Sequence, residues 1–423
     1  MTATLATAAD RPRDRHLRLL YASLFVVMVG YGSTLAVLPY HARRIGALAD
    51  AGPDTIAFHI GLLTSVYALA QLVAGPAVGH LADRYGRPAM LIAGLGGLAA
   101  TQAAFGLTTS LSALYLARFA GGLFAACLLV AATTYIADRT GDGQRTRAMA
   151  AYGTSVSLGL VAGPVIAGAL SRPGIDWAAG VVRVDSYSLP FLFSAAATLA
   201  VLIYAAPRFA EPAATPPRQE PSLRRPGPTP SGPERGPRLG SLLALVALAQ
   251  YGLAIFEGTF VLYARDRLSL SAVQATWAFV VCGVVMALQL PAATLLARVA
   301  SPVRQTTIGF ALMGAGTAAI VASRSYLVVL AMIAVLAAGA AVVIPNLAAL
   351  VAADAREGAG LALGWKSSAS SLGQFLGPLA GGVLVGVRLQ LPFLMAGAML
   401  LAVAVSLTRR ARPGGGGIRR VGW

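Results

Sequence analysis

The sequence is poor in cysteine, histidine and acidic residues, and each scarcity excludes a class of protein. Its 423 residues include two cysteines, Cys127 and Cys282, both in apolar segments, so no disulfide framework is expected. The histidines show no HExxH spacing, no CxxC pair is present, and no GxxxxGK[ST] loop is available to hold nucleotide phosphates. Clustered acids, or a nucleophile beside a base, are also missing. We therefore expect no metal, no cofactor and no enzyme activity.

Charged residues are scarce as well, at 12% of the chain, whereas soluble proteins carry about 25%. Hydrophobic residues reach 57%, and the mean hydropathy is +0.71. Apolar windows recur along the chain, each close to the roughly 20 residues that cross a hydrocarbon layer of about 30 Å. This pattern predicts an all-α integral membrane protein with twelve transmembrane helices, which lie near residues 18–40, 60–82, 88–109, 112–137, 147–170, 188–207, 240–263, 273–297, 303–322, 325–351, 360–386 and 389–408.

The net charge of +17 would also suit a nucleic-acid partner, so the positions of the basic residues decide between the two readings. With the N-terminus inside the cell, 23 of the 33 lysines and arginines lie in cytoplasmic segments and 8 lie outside. That is the positive-inside distribution of a membrane protein. We therefore predict a multi-pass protein of the plasma membrane, surrounded by the lipid bilayer, with both termini in the cytoplasm and no nucleic-acid partner. No cleavage site follows the first span, which is expected to be retained.

A ten-residue segment occurs twice in the chain. GLVAGPVIAG at 159–168 returns as GQFLGPLAGG at 373–382, with a GxxxGP core in register. Because six spans separate the copies, both cross the membrane in the same direction, and the halves are parallel repeats. Residues 208–238 hold nine prolines and six arginines, typical of a flexible linker, although such a segment can also bind a partner domain. The predicted organisation is a cytoplasmic leader (1–17), a first six-helix half (18–207), the linker (208–238), a second half (239–408) and a basic cytoplasmic tail (409–423).

The turn between the second and third spans carries the most specific local motif, GHLADRYGR. Gly86 permits a tight turn, Asp83 can meet the positive N-terminal end of a neighbouring helix, and the arginines hold the turn at the cytoplasmic face. Together with Leu91, the segment resembles GxLADRxGRxxxL, the signature of the major facilitator superfamily, and the resemblance covers all twelve spans. It implies the fold of that family and a conformational latch that stabilises an outward-open state, formed by Gly79, Asp83, Arg84, Gly86, Arg87 and Asp138. The alternative is a turn that serves topology alone.

The repeated GxxxGP segment has a physical meaning without any ligand. Glycines let two helices approach closely, and a proline bends its helix. In the fifth span the segment resembles the GxxxGPxxGG signature of the drug and proton antiporters of the family, with Ala167 in place of one glycine. The resemblance implies export and a gating role for the fifth and eleventh helices, carried by Gly159, Gly163, Pro164, Gly168, Gly373, Gly377, Pro378, Gly381 and Gly382. Simple helix packing is the alternative.

Three charged residues fall within predicted spans, where each costs roughly 2.5 to 3.5 kcal/mol at a helix centre. Arg118 lies in LYLARFAGG, which resembles the family's fourth-helix motif and implies a role in proton transfer. Glu257 is the only carboxylate well inside a span, and we hypothesise that it carries the proton; a structural ion pair is the alternative. Lys366 is expected to snorkel to the surface or to pair with an acid. The first span, where several drug-exporting relatives of the family place an acid, has none.

Other polar side chains are rare inside the spans. Sugars and peptides need many hydrogen bonds, so a sparsely polar cavity favours amphiphilic or hydrophobic compounds. Each polar residue can instead bond a neighbouring helix. The predicted substrate cavity contains Tyr31, Tyr67, Gln71, Gln250, Gln289 and Asn346.

These features predict a monomeric secondary active transporter that exports small amphiphilic or drug-like molecules in exchange for protons by alternating access. A proton-coupled symporter or a uniporter of a defined metabolite, such as a sugar, is the first alternative. A membrane sensor that does not transport is the second, but neither the linker nor the tail is long enough to form a signalling domain.

Overall fold

The computed structural model describes residues 10–45, 48, 51–140, 142–171, 174–179, 182–209, 239–287, 301–353 and 359–411. Within these ranges the chain forms twelve helices of 16 residues or more, and two single 3-10 turns, Ala206–Arg208 and Ile320–Ala322, extend α6 and α9. The helices are α1 (Asp10–Ala42), α2 (Pro53–Tyr85), α3 (Arg87–Leu107), α4 (Leu111–Arg139), α5 (Asp142–Leu170), α6 (Leu189–Ala205), α7 (Leu239–Leu268), α8 (Ala272–Ala287), α9 (Pro302–Ala319), α10 (Tyr326–Ala353), α11 (Ala359–Val387) and α12 (Leu391–Ala411).

The helices confirm the predicted all-α membrane fold. Eleven of them are long and apolar enough to cross a membrane, and α8 is a shorter apolar helix. The eighth predicted span ran to residue 297, and its last ten residues lie outside the described part of the chain. Proline in the first turn begins α2, α3, α6 and α9, where its missing N–H and fixed φ cost nothing.

The two halves repeat one packing scheme. In the first half α1 packs against α5, α2 against α4, and α3 against both α4 and α6. In the second half the corresponding pairs are α7 with α11, α8 with α10, and α9 with both α10 and α12. Each of these four packing contacts of the first half therefore recurs six helices later, as expected for parallel repeats.

The halves meet through α2 with α11 and through α5 with α8. We call the end of the bundle that carries the α1–α2 and α5–α6 loops the hairpin face, and the opposite end, where α1 starts and α12 ends, the terminal face. Among the described residues, the close glycine contacts between the halves lie from the hairpin face to about mid-depth. Near that face, a β-carbon added to Gly386 of α11 would lie 3.6 Å from Cβ of Asp54, and one added to Gly382 would lie 2.9 Å from the carbonyl oxygen of Ala57.

A small β-hairpin, which was not predicted from the sequence, forms part of the loop between α5 and α6. Strand β1 (Asp176–Ala179) pairs antiparallel with β2 (Val182–Asp185). Asp185 is 1% exposed, forms an ion pair with Arg44 at 3.1 Å, and accepts backbone N–H bonds from Tyr187 and Ser188 at the start of α6. This carboxylate therefore ties the hairpin to both α1 and α6.

An aromatic stack continues from the hairpin to the second half. The rings of Tyr40 and Tyr187 are nearly parallel, at 6°, with centroids 5.6 Å apart. Arg44 lies 4.5 Å from the centroid of Tyr187, and Arg265 of α7 lies 5.8 Å from that of Tyr40. The hairpin face is thus closed by cation–π and stacking contacts that cross from one half to the other.

Candidate functional site

Arg118, on α4, lies in a narrow pocket inside the first half. The residue is 5% exposed, and its guanidinium carbon lies 5.2 Å from the ring centroids of both Tyr67 and Phe105. Among the described residues, its Nε and one Nη atom have no hydrogen-bond partner. Residues of α1, α2, α3, α4 and α6 line this pocket, and Gln102 and Thr198 are among them. The site combines one buried cation with aromatic and neutral polar walls.

Tyr31 connects this pocket with the second half. Its ring lies 5.5 Å from that of Tyr67, at an angle of 33°, and it packs against the buried clusters of both halves. It also lies within electrostatic range of both Arg118 and Glu257. Gln71 lies one turn beyond Tyr67 on the same helix. The structure therefore brings together three of the predicted cavity residues, Tyr31, Tyr67 and Gln71, beside Arg118.

Glu257 lies in the interior of α7 and is partly buried. The residue before it, Phe256, is buried in an aromatic cluster, with its ring 5.2 Å from that of Phe260. The residue after it, Gly258, packs against the proline of the second GxxxGP copy, since an added β-carbon would lie 2.8 Å from Cβ of Pro378. Within the described part of the chain, Glu257 has neither an ion pair nor a hydrogen bond. The backbone of α7 at Glu257 thus adjoins the contact between α7 and α11, while its carboxylate lies within electrostatic range of Tyr31 and Cys282.

The GxxxGP glycines mainly hold helices together within a half. An added β-carbon on Gly159 would lie 2.5 Å from the carbonyl oxygen of Phe25 on α1, and Gly163 approaches the backbone of Val29 still more closely. Ser33 donates a hydrogen bond to the carbonyl of Gly163 at 2.9 Å.

The second copy repeats these contacts on α7. Gly373 packs against the backbone of Ala247, and a β-carbon on Gly377 would lie 3.0 Å from the carbonyl oxygen of Tyr251. Gly381 packs against Thr259 of the same helix. The trailing glycines of the two copies face the opposite half, Gly168 toward Thr276 and Gly382 toward Ala57. One motif therefore serves both the fixed contact within a half and the contact between halves.

The α2–α3 turn contains part of the predicted latch. Gly86 has φ 85°, a conformation that side chains disfavour, and it separates α2 from α3. Arg87 forms an ion pair of 3.1 Å with Asp138 at the end of α4, within the first half. Arg84 is exposed and lies beside the ring of Tyr85. The side chain of Asp83 and the surroundings of Gly79 lie outside what the structure describes.

The remaining predicted cavity residues are not gathered around Arg118. Asn346 of α10 donates a hydrogen bond of 3.0 Å to Gln305 of α9, inside the second half. Gln250 lies where α7 meets Gly373 of α11. Gln289 falls outside the described residues. Conversely, Gln102 and Thr198 were not predicted as pocket residues, because a polar residue in an apolar helix does not show which neighbours it faces.

A family model described as "Major Facilitator Superfamily" matches residues 20–359 and 242–421 of the chain. Curated relatives include Multidrug resistance protein 1 of Bacillus subtilis (strain 168), 25% identical over 405 residues, which cover 93% of this chain and 95% of that protein. Quinolone resistance protein NorA of Staphylococcus aureus is 25% identical over 411 residues, covering 94% of this chain and 97% of that protein.

Solved structures show the same fold. A bacterial homolog to the human lysosomal transporter Spinster, in an inward-facing and unoccupied conformation, aligns with a TM-score of 0.71 and 15% identity over 96% of this chain and 98% of that one. The human organic anion transporter MFSD10 (TETRAN) aligns with a TM-score of 0.66 and 22% identity over 94% of this chain and 99% of that one.

Proposed function

The chain belongs to the Major Facilitator Superfamily, and from that premise we propose that it exports small amphiphilic or drug-like molecules in exchange for protons. As a member, it is a multi-pass membrane transporter and not an enzyme. Relatives named multidrug resistance and quinolone resistance proteins, each similar over more than nine-tenths of the chain, support drug-like substrates. The few polar side chains of the interior support the same substrate class, because polyhydroxyl compounds would leave hydrogen-bonding groups unpaired there.

Export requires a state that is open to the cytoplasm, and the contacts between the halves support one. Among the described residues they are concentrated at the hairpin face, where α2 packs on α11 and Arg265 reaches Tyr40. The positive-inside distribution directs the hairpin face outward and both termini into the cytoplasm of the cell. In this orientation the protein is closed to the outside, and both halves must separate at the hairpin face to release substrate.

One observation carries the proposal of proton coupling: Glu257 is an intramembrane carboxylate, without an ion pair in the described chain, beside the α7–α11 contact. Loss of hydration favours the protonated form of such a carboxylate, while access to water favours the charged form. Alternating access exposes Glu257 to each condition in turn. Movement of one charge through 100 mV adds about 2.3 kcal/mol to the driving force of the cycle.

Proteoliposomes test this proposal. Purified protein is reconstituted, a pH gradient is imposed, and the gradient-driven movement of a lipophilic cationic dye is measured for wild type and Glu257→Gln. We expect the variant to lose gradient-driven transport while it keeps dye exchange at equal pH, because the site still alternates without the proton. Asp266→Asn, a neutralised acid at the end of the same helix, is the matched control. Wild-type flux that ignores the gradient, or an unaffected Glu257→Gln, would show that this carboxylate carries no proton.

A further inference from the structure

We propose that the Arg118 pocket is a binding site for a small anion, either a halide or a carboxylate group. The site belongs to the first half alone and is separate from Glu257 on α7. The inference does not depend on which molecules the protein exports.

The guanidinium of Arg118 is buried and incompletely hydrogen-bonded. Arg118 is 5% exposed, and two of its nitrogen atoms have no hydrogen-bond acceptor within the described residues. Burial of an arginine is costly unless its charge is paired and its N–H groups are bonded. The neighbouring rings of Tyr67 and Phe105 interact with the cation through their π-electrons, but they do not replace acceptors for the N–H groups.

The described residues of the pocket wall include no acid. Among the described residues that line the pocket, Arg118 alone is charged, so none of them supplies a carboxylate to neutralise it. Helix α1, which forms one wall through Gly30 and Tyr31, has two acids, Asp10 and Asp14, both in its first turns and at least sixteen residues before Gly30. The negative charge that would complete this site must therefore come from outside the described chain.

Neutral polar groups of the pocket can add hydrogen bonds to an anion that binds Arg118. The side-chain amide of Gln102 points toward Gly30, since a β-carbon added there would lie 2.9 Å from Nε2. No described residue accepts a hydrogen bond from it. Tyr31, which carries a hydroxyl, also lines the pocket and packs against the buried cluster of the second half. The guanidinium, the amide NH2 and a tyrosine hydroxyl can all donate hydrogen bonds to one anion, and an arginine edge matches a carboxylate particularly well.

Two sources supply such an anion: an inorganic halide that stays in the first half, or the carboxylate of a molecule in transit. Thermal unfolding of the purified full-length protein in detergent distinguishes them. Sodium methanesulfonate is exchanged stepwise for sodium chloride, sodium bromide or sodium benzoate at constant ionic strength. We expect a saturable rise in Tm, on the order of 3 °C, because a ligand that binds only the folded state stabilises it. A response to chloride and bromide indicates a resident inorganic anion, and a response to benzoate alone indicates a carboxylate subsite.

Variants assign the effect to the pocket. Arg118→Gln should abolish the Tm response, whereas Arg139→Gln, at the end of the same helix and outside the pocket, should keep it. Gln102→Leu retains the arginine and should raise the half-saturating concentration several-fold, which tests the site even if Arg118→Gln does not fold. A wild-type Tm that does not change with any of the three anions overturns the proposal. A response that Arg139→Gln loses, or that Gln102→Leu leaves unchanged, also overturns it.

Discussion

At the scale of single residues, Asp185 shows how one carboxylate can organise a loop. Its oxygens accept backbone bonds from the first residues before α6 and pair with Arg44, while the residue itself is almost completely buried. Removal of the side chain leaves the two backbone N–H groups without their acceptor at a buried position.

We therefore expect Asp185→Ala to lower the free energy of unfolding by about 2 kcal/mol or more. Asp185→Asn should cost less, because its amide oxygen can still accept a backbone bond. Thermal unfolding of the detergent-solubilised variants measures both effects. Equal stability of Asp185→Ala and wild type would mean that this carboxylate does not hold the hairpin in place.

Single residues were also where sequence reasoning was weakest. The intramembrane charges Arg118 and Glu257 could be identified from the sequence, because a charge in an apolar run is conspicuous. The neighbours of those charges could not be identified. Asn346 was expected in a substrate cavity, yet it bonds Gln305. Which polar pairs satisfy each other depends on helix rotation, and the weak polar pattern of a buried helix does not determine it.

At the scale of helices, the backbone contacts of the GxxxGP segments leave the least space for a side chain. Gly163 and Gly373 each approach the backbone of a neighbouring helix so closely that a methyl group has no space. Backbone atoms cannot rotate away as a side chain can, so the helices themselves must separate to admit it.

Gly163→Ala and Gly373→Ala should each lower stability by about 1–3 kcal/mol through overpacking. Gly75→Ala is the matched control, because Gly75 is also helical and has no atom within 4 Å of the added β-carbon. Thermal unfolding and the yield of monodisperse protein in size-exclusion chromatography provide the measurements. A control that is as unstable as the two motif variants would contradict the packing explanation.

Helices could largely be predicted from the sequence, and the hairpin could not. A helix that crosses the hydrocarbon layer needs about 20 apolar residues, and a run of that length is visible in the sequence. Such a run must be helical, because its backbone groups can be hydrogen-bonded only within the segment. Strands β1 and β2 have four residues each and are fixed by Arg44 from a different part of the chain. Contacts so distant in sequence leave no local pattern.

At the scale of the whole molecule, the contact between Asp54 and Gly386 offers a direct test of the transport cycle. Their β-carbons would lie 3.6 Å apart, within the range of about 3.5–4.5 Å that a disulfide requires. The residues belong to different halves, and both are exposed.

Asp54→Cys combined with Gly386→Cys, in a background where Cys127 and Cys282 are alanine, should form a disulfide on mild oxidation. The bond should stop dye transport in proteoliposomes, and a reductant should restore it, because the hairpin face can no longer open. Each single cysteine variant should transport under both conditions. Full transport by the oxidised double variant would mean that this face does not separate during the cycle.

The seam between α7 and α11 has one further consequence. At Gly373 it consists mainly of backbone atoms and elsewhere of short side chains such as Ala254 and Thr259, which have few rotamers with which to absorb a displacement. When α11 slides along α2, α7 is therefore displaced together with α11, and Glu257 moves with α7. The two helices therefore move together as one rigid unit, in which α11 contacts α2 and α7 carries the charge of Glu257.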